Sequence, residues 1–382
     1  MFSLLTYNNL DLKKEIETTL DLLSRVEICA ELNLCHQWIC NTLTFYQERI
    51  DYNLSLINME EKELLPEIVS ETQSLTSGVR QISENFLAPL IRHKPIDTFC
   101  LKVINWLHKE HRQTQSAPFA LSDGGFAVFS DLNGPIVYFL PTTSLSNITH
   151  VPLIFHEFGH YLYAYHKEEM DDLVSELQTK IWNLLKPSYR TNNSRYLTLM
   201  EKISAIAETW YEWMQEFFCD AVGLHIGGKS YLKTFSMYLR MMGTGEFKAF
   251  EDELLGSTHP VSWLRVRLLS IRAKKYGLIA EAEQTEREWK LIANELNVKQ
   301  DYFGFYDEAF DNLIHQALDD MLTEAGPLYF SDYLNKEENS NLIMLVNKAW
   351  DLMETNFEEY KGWENSAIAL FMNSSEQHVE HN

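Results

Sequence analysis

The segment Phe155-His156-Glu157-Phe158-Gly159-His160-Tyr161 sets two histidines four residues apart, with a glutamate next to the first. On a helix, positions i and i+4 share a face, so both imidazoles can meet a single tetrahedral zinc ion at about 2.0–2.1 Å. Glu157 is then placed to reach water on the metal rather than the metal itself, which is the position of a general base. The alternative is a surface helix whose histidines face solvent. Phe155, Phe158 and Tyr161 argue for a buried helix instead, on which His-Glu-His needs polar partners that a metal supplies.

A catalytic zinc needs a third protein ligand and an open position. Downstream, Glu208, Glu212 and Glu216 fall four residues apart on one helical face. In isolation such a row reads as a solvated acidic stripe. Beside a histidine pair lacking a third ligand, Glu216 is the choice, because Asp220, one turn further, can accept the free ring N–H of a ligand histidine and fix its tautomer. Glu208 and Glu212 stay as alternatives. A third segment, Ser257-Thr258-His259-Pro260, is followed by Arg265. His259, fixed ahead of a proline, can aim a donor at the oxyanion of a tetrahedral intermediate; the plainer reading is a turn histidine with a surface arginine.

These residues need elements to hold them. From about residue 10 to 112 apolar residues recur three and four apart between Pro66, Pro89 and Pro95, the pattern of several antiparallel helices with Trp38, Phe45, Phe86 and Trp106 as core. Cys29, Cys35 and Cys40 read as buried helix positions. Phe126–Ser130 and Ile136–Leu140, joined through Asn133-Gly134, predict a β-hairpin as the one β element. From Thr149 onward the pattern is helical again, with Pro152 in a first turn. The expected division is a helical region over 1–115, a core over 116–275 and an acidic helical region over 276–382, mainly α with a small β component (α+β).

Composition excludes several classes. The 382 residues, 45% of them hydrophobic and 13% aromatic, can bury a large core. A net charge of −23 argues against a nucleic-acid partner or an anionic membrane surface. Residues 301–382 hold 17 acidic side chains against three basic ones, so the excess concentrates there, as plain solvation or as a docking surface for a basic protein partner. Five cysteines without a C-x-x-C pair suggest a reducing compartment. No apolar run spans a bilayer and the first residues lack a signal-peptide pattern, so the expectation is a cytoplasmic protein with no membrane insertion.

In order and chemistry, His156-Glu-Phe-Gly-His160, Glu216-Phe-Phe-Cys-Asp220 and His259-Pro through Arg265 resemble the H-E-x-x-H, E-x-x-x-D and H-P-x-x-x-x-R series of the gluzincin peptidases that include CAAX prenyl proteases and HtpX-type heat-shock peptidases. The resemblance covers roughly residues 120–270. It implies a zincin-like catalytic core in which one zinc ion per chain is held by His156, His160 and Glu216. Glu157 would be the base, Asp220 the orienting carboxylate, and His259 with Arg265 an auxiliary active-site pair. The implied activity is zinc-dependent endopeptidase action on a protein or peptide substrate; an extended substrate is expected along the Phe126–Ser130 or Ile136–Leu140 edge, where backbone hydrogen bonds would position it, with His259 or a neighbouring tyrosine, Tyr161 or Tyr231, holding the oxyanion. Cys219 stands where that family tends to have alanine. Two other readings accompany this one: a non-catalytic helical interaction protein with a structural or silenced zinc site, and a regulatory protease with one dedicated protein substrate.

Overall fold

The computed structural model describes residues 2–60, 62–92, 95–115, 118–129, 134–141, 144, 147–186, 194–243, 247, 250–298, 302–334 and 341–374. They form two compact units, Met1–Ser146 and Asn147–Asn382. Both are mostly helical, and the one sheet among the described residues has three strands.

In the first unit the three-and-four spacing becomes α1 (Phe2–Leu23), α2 (Asn33–Asn58) and α3 (Leu65–Ile82), then the short α4 (Ala88–Arg92) and α5 (Pro95–Glu110). Leu12 and Ile16 of α1, Ile39, Leu43 and Ile50 of α2, and Leu75 and Val79 of α3 form the buried seam. Asn9 crosses it, donating from Nδ2 to Thr72 Oγ1 at 3.0 Å. Of the expected core aromatics, Phe86 is buried and Trp38 meets it edge-on at 5.7 Å, while Trp38 and Trp106 are half-buried. Phe45 is exposed instead. It follows Leu43 by two positions, about 200° round the helix and off the buried stripe. Cys35 is buried, whereas Cys29 and Cys40 are only partly so.

The strands β1 (Phe119–Asp123), β2 (Ala127–Phe129) and β3 (Ile136–Leu140) pair in the order β1-β3-β2. β2 and β3 are antiparallel, as the hairpin expectation has it, with Val128 opposite Tyr138; Asn133, in the expected turn, lies outside the described residues. β1, parallel to β3 with Leu121 opposite Tyr138, is an addition to that expectation. Its sequence Phe-Ala-Leu-Ser-Asp is short and mixed, with no alternation to mark it. β3 is thus central and paired on both sides, so Ile136–Leu140 offers no free edge to an added strand. The near-continuous apolar run of β3 is the pattern of a strand covered on both faces.

The second unit begins at Asn147, whose Oδ1 accepts from Thr149 N at 3.0 Å and caps a turn over Ile148–His150. There follow α6 (Val151–Tyr165), α7 (Lys167–Leu185), α8 (Ser194–Gly227), α9 (Lys229–Gly243), the single turn α10 (Glu251–Leu254), α11 (Ser262–Lys275), α12 (Ile279–Glu295), α13 (Asp311–Ala325), α14 (Leu342–Thr355) and α15 (Phe357–Ser374). α6 is buried on nearly every side, as its all-round apolar sequence requires, and packs most extensively on α8. Pro152 sits in its first turn, where its missing N–H costs nothing.

Compact division thus falls at 146/147 rather than at 115 and 275: the strands belong with α1–α5, and the acidic helices belong with α6–α12. The reason for the second lies in packing. α13 lies on α7 and α8, and α14 on α8 and α9, with Trp350 Nε1 donating to Thr234 Oγ1 and that hydroxyl donating to Thr149 O, both at 2.8 Å. Several carboxylates of this stretch pair with bases of preceding helices: Asp351 with Lys229, Glu354 with Lys233, Asp319 with Arg272 and Lys275, and Glu308 and Asp311 with Arg267. No described helix is long and apolar enough to cross a membrane.

Candidate metal centre

His156 and His160 stand one turn apart on α6 with ring centroids 5.0 Å apart. The facing helix α8 brings Glu216 to them. His156 Nε2 lies 3.6 Å from Glu216 Oε2, and His160 Nε2 lies 3.5 Å from Glu216 Oε1. These separations are long for hydrogen bonds. They match the roughly 3.4 Å between neighbouring donors around a tetrahedral ion with bonds of about 2.1 Å. His259 Nε2 is also 3.5 Å from Glu216 Oε1, so three imidazoles converge on one buried carboxylate. Glu208 is exposed and Glu212 half-buried; of the three glutamates, only Glu216 has these imidazole partners.

Helix contact at this point depends on Gly159. A Cβ there would lie 2.8 Å from Cys219 Cα and 3.2 Å from its Sγ, so only glycine between the two histidines lets α8 approach this closely. Cys219 itself is fully buried, and its thiol can gather with the donor atoms of His156 and His160 within 4.8 Å of one another.

Behind the histidines lies a buried charge network. Asp220 Oδ1 is 3.0 Å from His156 Nδ1, the contact that orients a ligand histidine. Arg265 grips Asp220 with two hydrogen bonds, Nε to Oδ2 at 2.9 Å and Nη2 to Oδ1 at 2.8 Å, and its Nη2 is 2.9 Å from Glu216 Oε2. Its Nε and Nη2 therefore face carboxylates, which makes Arg265 a positioning residue for Asp220 and Glu216. Tyr231 Oη donates to Asp220 Oδ1 at 3.1 Å and is fully buried, so it too props Asp220 and has no surface toward a substrate. Phe235, one turn on, stacks on the His156 ring at 5.8 Å and carries the Arg265 guanidinium over its face at 4.8 Å.

Charge and burial set the protonation of the group. Burial pushes the Glu157 carboxyl up to about 7, with the neighbouring His156 opposing. Burial also pushes His160 down to about 4, and the charge of His156 adds to this. For His156 burial acts downward too, but the Asp220 hydrogen bond and the Glu216 charge outweigh it and hold the imidazole above its usual range. Burial alone would raise Asp220 and Glu216; the Arg265 guanidinium overrides it, taking Asp220 to about 2 and Glu216 below the usual carboxylate range.

His259 is the open member, with 64% of its side chain exposed. Its loop is pinned to α8: Trp213 Nε1 donates to Ser257 Oγ at 2.9 Å and Gly256 N to Thr209 Oγ1 at 3.1 Å. Gly256 sits at φ +65, a left-handed conformation that favours glycine. Thr258 Oγ1 lies 2.8 Å from His259 Nδ1, which leaves Nε2 facing Glu216. Sequence reasoning passed over Phe235 and Tyr238. The helical spacing of Tyr231, Phe235 and Tyr238 on α9 carries one face from the buried network to a half-buried hydroxyl raised by burial and by the charge of Glu157. No protein-family model, curated protein or solved structure matches this chain.

Proposed function

We propose that the chain is a zinc-dependent endopeptidase of the gluzincin type, built on a zincin-like arrangement in its second unit. The observation that carries the reading is the spacing of His156 Nε2, His160 Nε2 and the two Glu216 oxygens, 3.5–3.6 Å apart across facing helices. The donor set fits the ion: two imidazoles and a carboxylate are a catalytic zinc set, and Glu216 Oε2, although ion-paired with Arg265 at 2.9 Å, is buried without an aligned hydrogen-bond donor. Zinc held there would supply Lewis-acid polarisation of a peptide carbonyl and acidify water.

The chain's own residues divide the remaining work. Glu157 takes the proton from water and returns it to the leaving amine. Asp220, held by Arg265 and Tyr231, fixes the His156 ring. His259, exposed beside the carboxylate, donates to the oxyanion. A structural or silenced site is the second reading, favoured by the fully buried thiol of Cys219 beside the histidine pair. Zinc content separates binding from chemistry: wild type is expected to hold one equivalent and His156→Ala much less, and equal content would remove the ligand assignment. Glu157→Gln is expected to keep zinc and abolish cleavage, scored by new protein N-termini in cells carrying each form. Retained cleavage would remove the base, and an absence of new N-termini with wild type would favour the silenced site.

A further inference from the structure

We propose that Tyr238 is a further catalytic residue of this centre, donating its Oη–H to the oxyanion of the tetrahedral intermediate. The inference rests on the peptidase reading and adds to it a donor on α9 that none of the three sequence segments contains. Neither tyrosine expected there from the sequence suits the task. Tyr231 is fully buried and donates to Asp220 Oδ1 at 3.1 Å. Tyr161 follows His160 by one position, about 100° round α6, and packs on Phe158 and Tyr165. Tyr238 lies seven positions beyond Tyr231, two helical turns and about 10 Å further along the same face of α9.

Measured contacts fix where that face runs. Tyr231 lies under Asp220, and Phe235 stacks on the His156 ring at 5.8 Å. The two aromatic rings also stack on each other at 5.2 Å. The row therefore passes from the orienting carboxylate to the first histidine, on a helix that packs against α6, and Tyr238 is its next member. Burial is complete or nearly so at Tyr231 and Phe235 and only partial at Tyr238, so the face opens to solvent at this hydroxyl. The charges of Glu157 and Arg265 act on Tyr238, which sets it on the side of the base. Burial and the Glu157 charge hold the phenol above its usual range. It therefore stays protonated at neutral pH and serves as a donor, not as a second base. Its O–H bond remains intact throughout, and the hydrogen bond strengthens as negative charge develops on the carbonyl oxygen. His259 reaches the centre from an exposed loop; Tyr238 gives the same oxygen a donor from a helix.

The zinc-loaded full chain is tested on a library of peptides cut from whole-cell protein. The sequence it cleaves then supplies a phosphinic pseudopeptide, whose tetrahedral P–O group imitates the oxyanion. In Tyr238→Phe, kcat on a cleaved peptide is expected to fall about a hundredfold, the effect of losing one oxyanion donor, with KM, zinc content and thermal unfolding as in wild type. The phosphinic peptide should lose affinity by a similar factor, while the product peptides bind as before. Tyr238→Leu removes the ring as well, and a role for the hydroxyl requires Phe to lose nearly as much kcat as Leu. A Tyr238→Phe chain with wild-type kcat, or one whose loss lies in KM or in thermal stability, overturns the donor and leaves the zinc peptidase standing. A wild type that cleaves neither the library nor any protein in cells overturns the peptidase reading, and the donor with it.

Discussion

Replacing Arg265 by methionine tests the buried charge network directly. The arginine and its partners Glu216 and Asp220 expose no more than 7% of their side chains, so the Arg265→Met chain keeps two carboxylates in the interior without their cation. Breaking a buried pair by removing one partner costs about 3–5 kcal/mol, which for a unit of this size lowers Tm by roughly 6–20 °C. Methionine preserves the aliphatic packing under the guanidinium, where Arg265 now lies over Phe235 at 4.8 Å, so the loss isolates charge. A divalent ion between Glu216 and the imidazoles replaces part of that charge. Thermal unfolding in chelator and in excess zinc is therefore expected to show a large gap between wild type and variant without metal and a smaller gap with it. Saturation at a hundredfold over Kd adds about 2.7 kcal/mol to wild type by mass action alone, and the variant should gain more. An Arg265→Met chain that unfolds at the wild-type temperature in chelator would refute the claim that Arg265 neutralises these carboxylates.

Gly159→Ala places a methyl 2.8 Å from Cys219 Cα; overpacking of about 1–3 kcal/mol outweighs a helix-propensity gain of about 1 kcal/mol, so denaturant unfolding should show a net loss with weakened zinc binding, and an unchanged midpoint would contradict the close α6–α8 contact. Burial holds His108 down at about 3 and His225 and His315 at about 4. Because each folded value lies below the unfolded 6.5, their contribution is complete above about pH 6.5 and is lost as pH falls toward 4. The expected drop is on the order of 3 kcal/mol per imidazole, and equal denaturation midpoints at pH 7.5 and 5 would count against it. Finally, the double variant Asp351→Asn, Glu354→Gln breaks only ion pairs whose acidic partners are exposed and should cost under about 1 kcal/mol per pair. Removing residues 341–382, which takes Trp350 off Thr234, should destabilise the second unit severely; a truncated chain of wild-type stability would show the acidic helices to be an appendage.

How much of this was legible in the sequence depends on the range over which each relation acts. Relations within one helix were readable: the one-turn spacing of His156 and His160, of Glu216 and Asp220, and the apolar stripes of α1–α3 all follow from 3.6 residues per turn. The Asp220–His156 contact was inferable too, because a ligand histidine needs an acceptor and, of Glu208, Glu212 and Glu216, only the last is followed by an aspartate one turn on. What escaped were choices made between elements. β1 carries no periodic signal and exists because β3 has a second edge to pair. Sequence alone puts Tyr231 at the oxyanion, and only the packing of α9 turns it under Asp220 instead. Sequence also singles out Arg265 with His259 as an active-site residue, but nothing local in Trp-Leu-Arg-Val-Arg shows that it turns inward onto Asp220 and Glu216 while Arg267 sits in a partly exposed ion pair.

The acidic excess shows the same limit in a different form. Counting charges located it in residues 301–382 and suggested a region apart, but a count is blind to which carboxylates face a base across an interface. Asp319 and Asp351 contribute to the same sum as any solvated glutamate, yet Asp319 takes the almost fully buried Arg272 at 2.8 Å and Asp351 takes both hydrogen bonds of Lys229. These pairs join α13 to α11 and α14 to α9, and α9 and α11 are the helices that carry Tyr231, Phe235 and Arg265. The negative charge of the C-terminal helices is therefore partly a means of registering the scaffold behind the candidate metal centre.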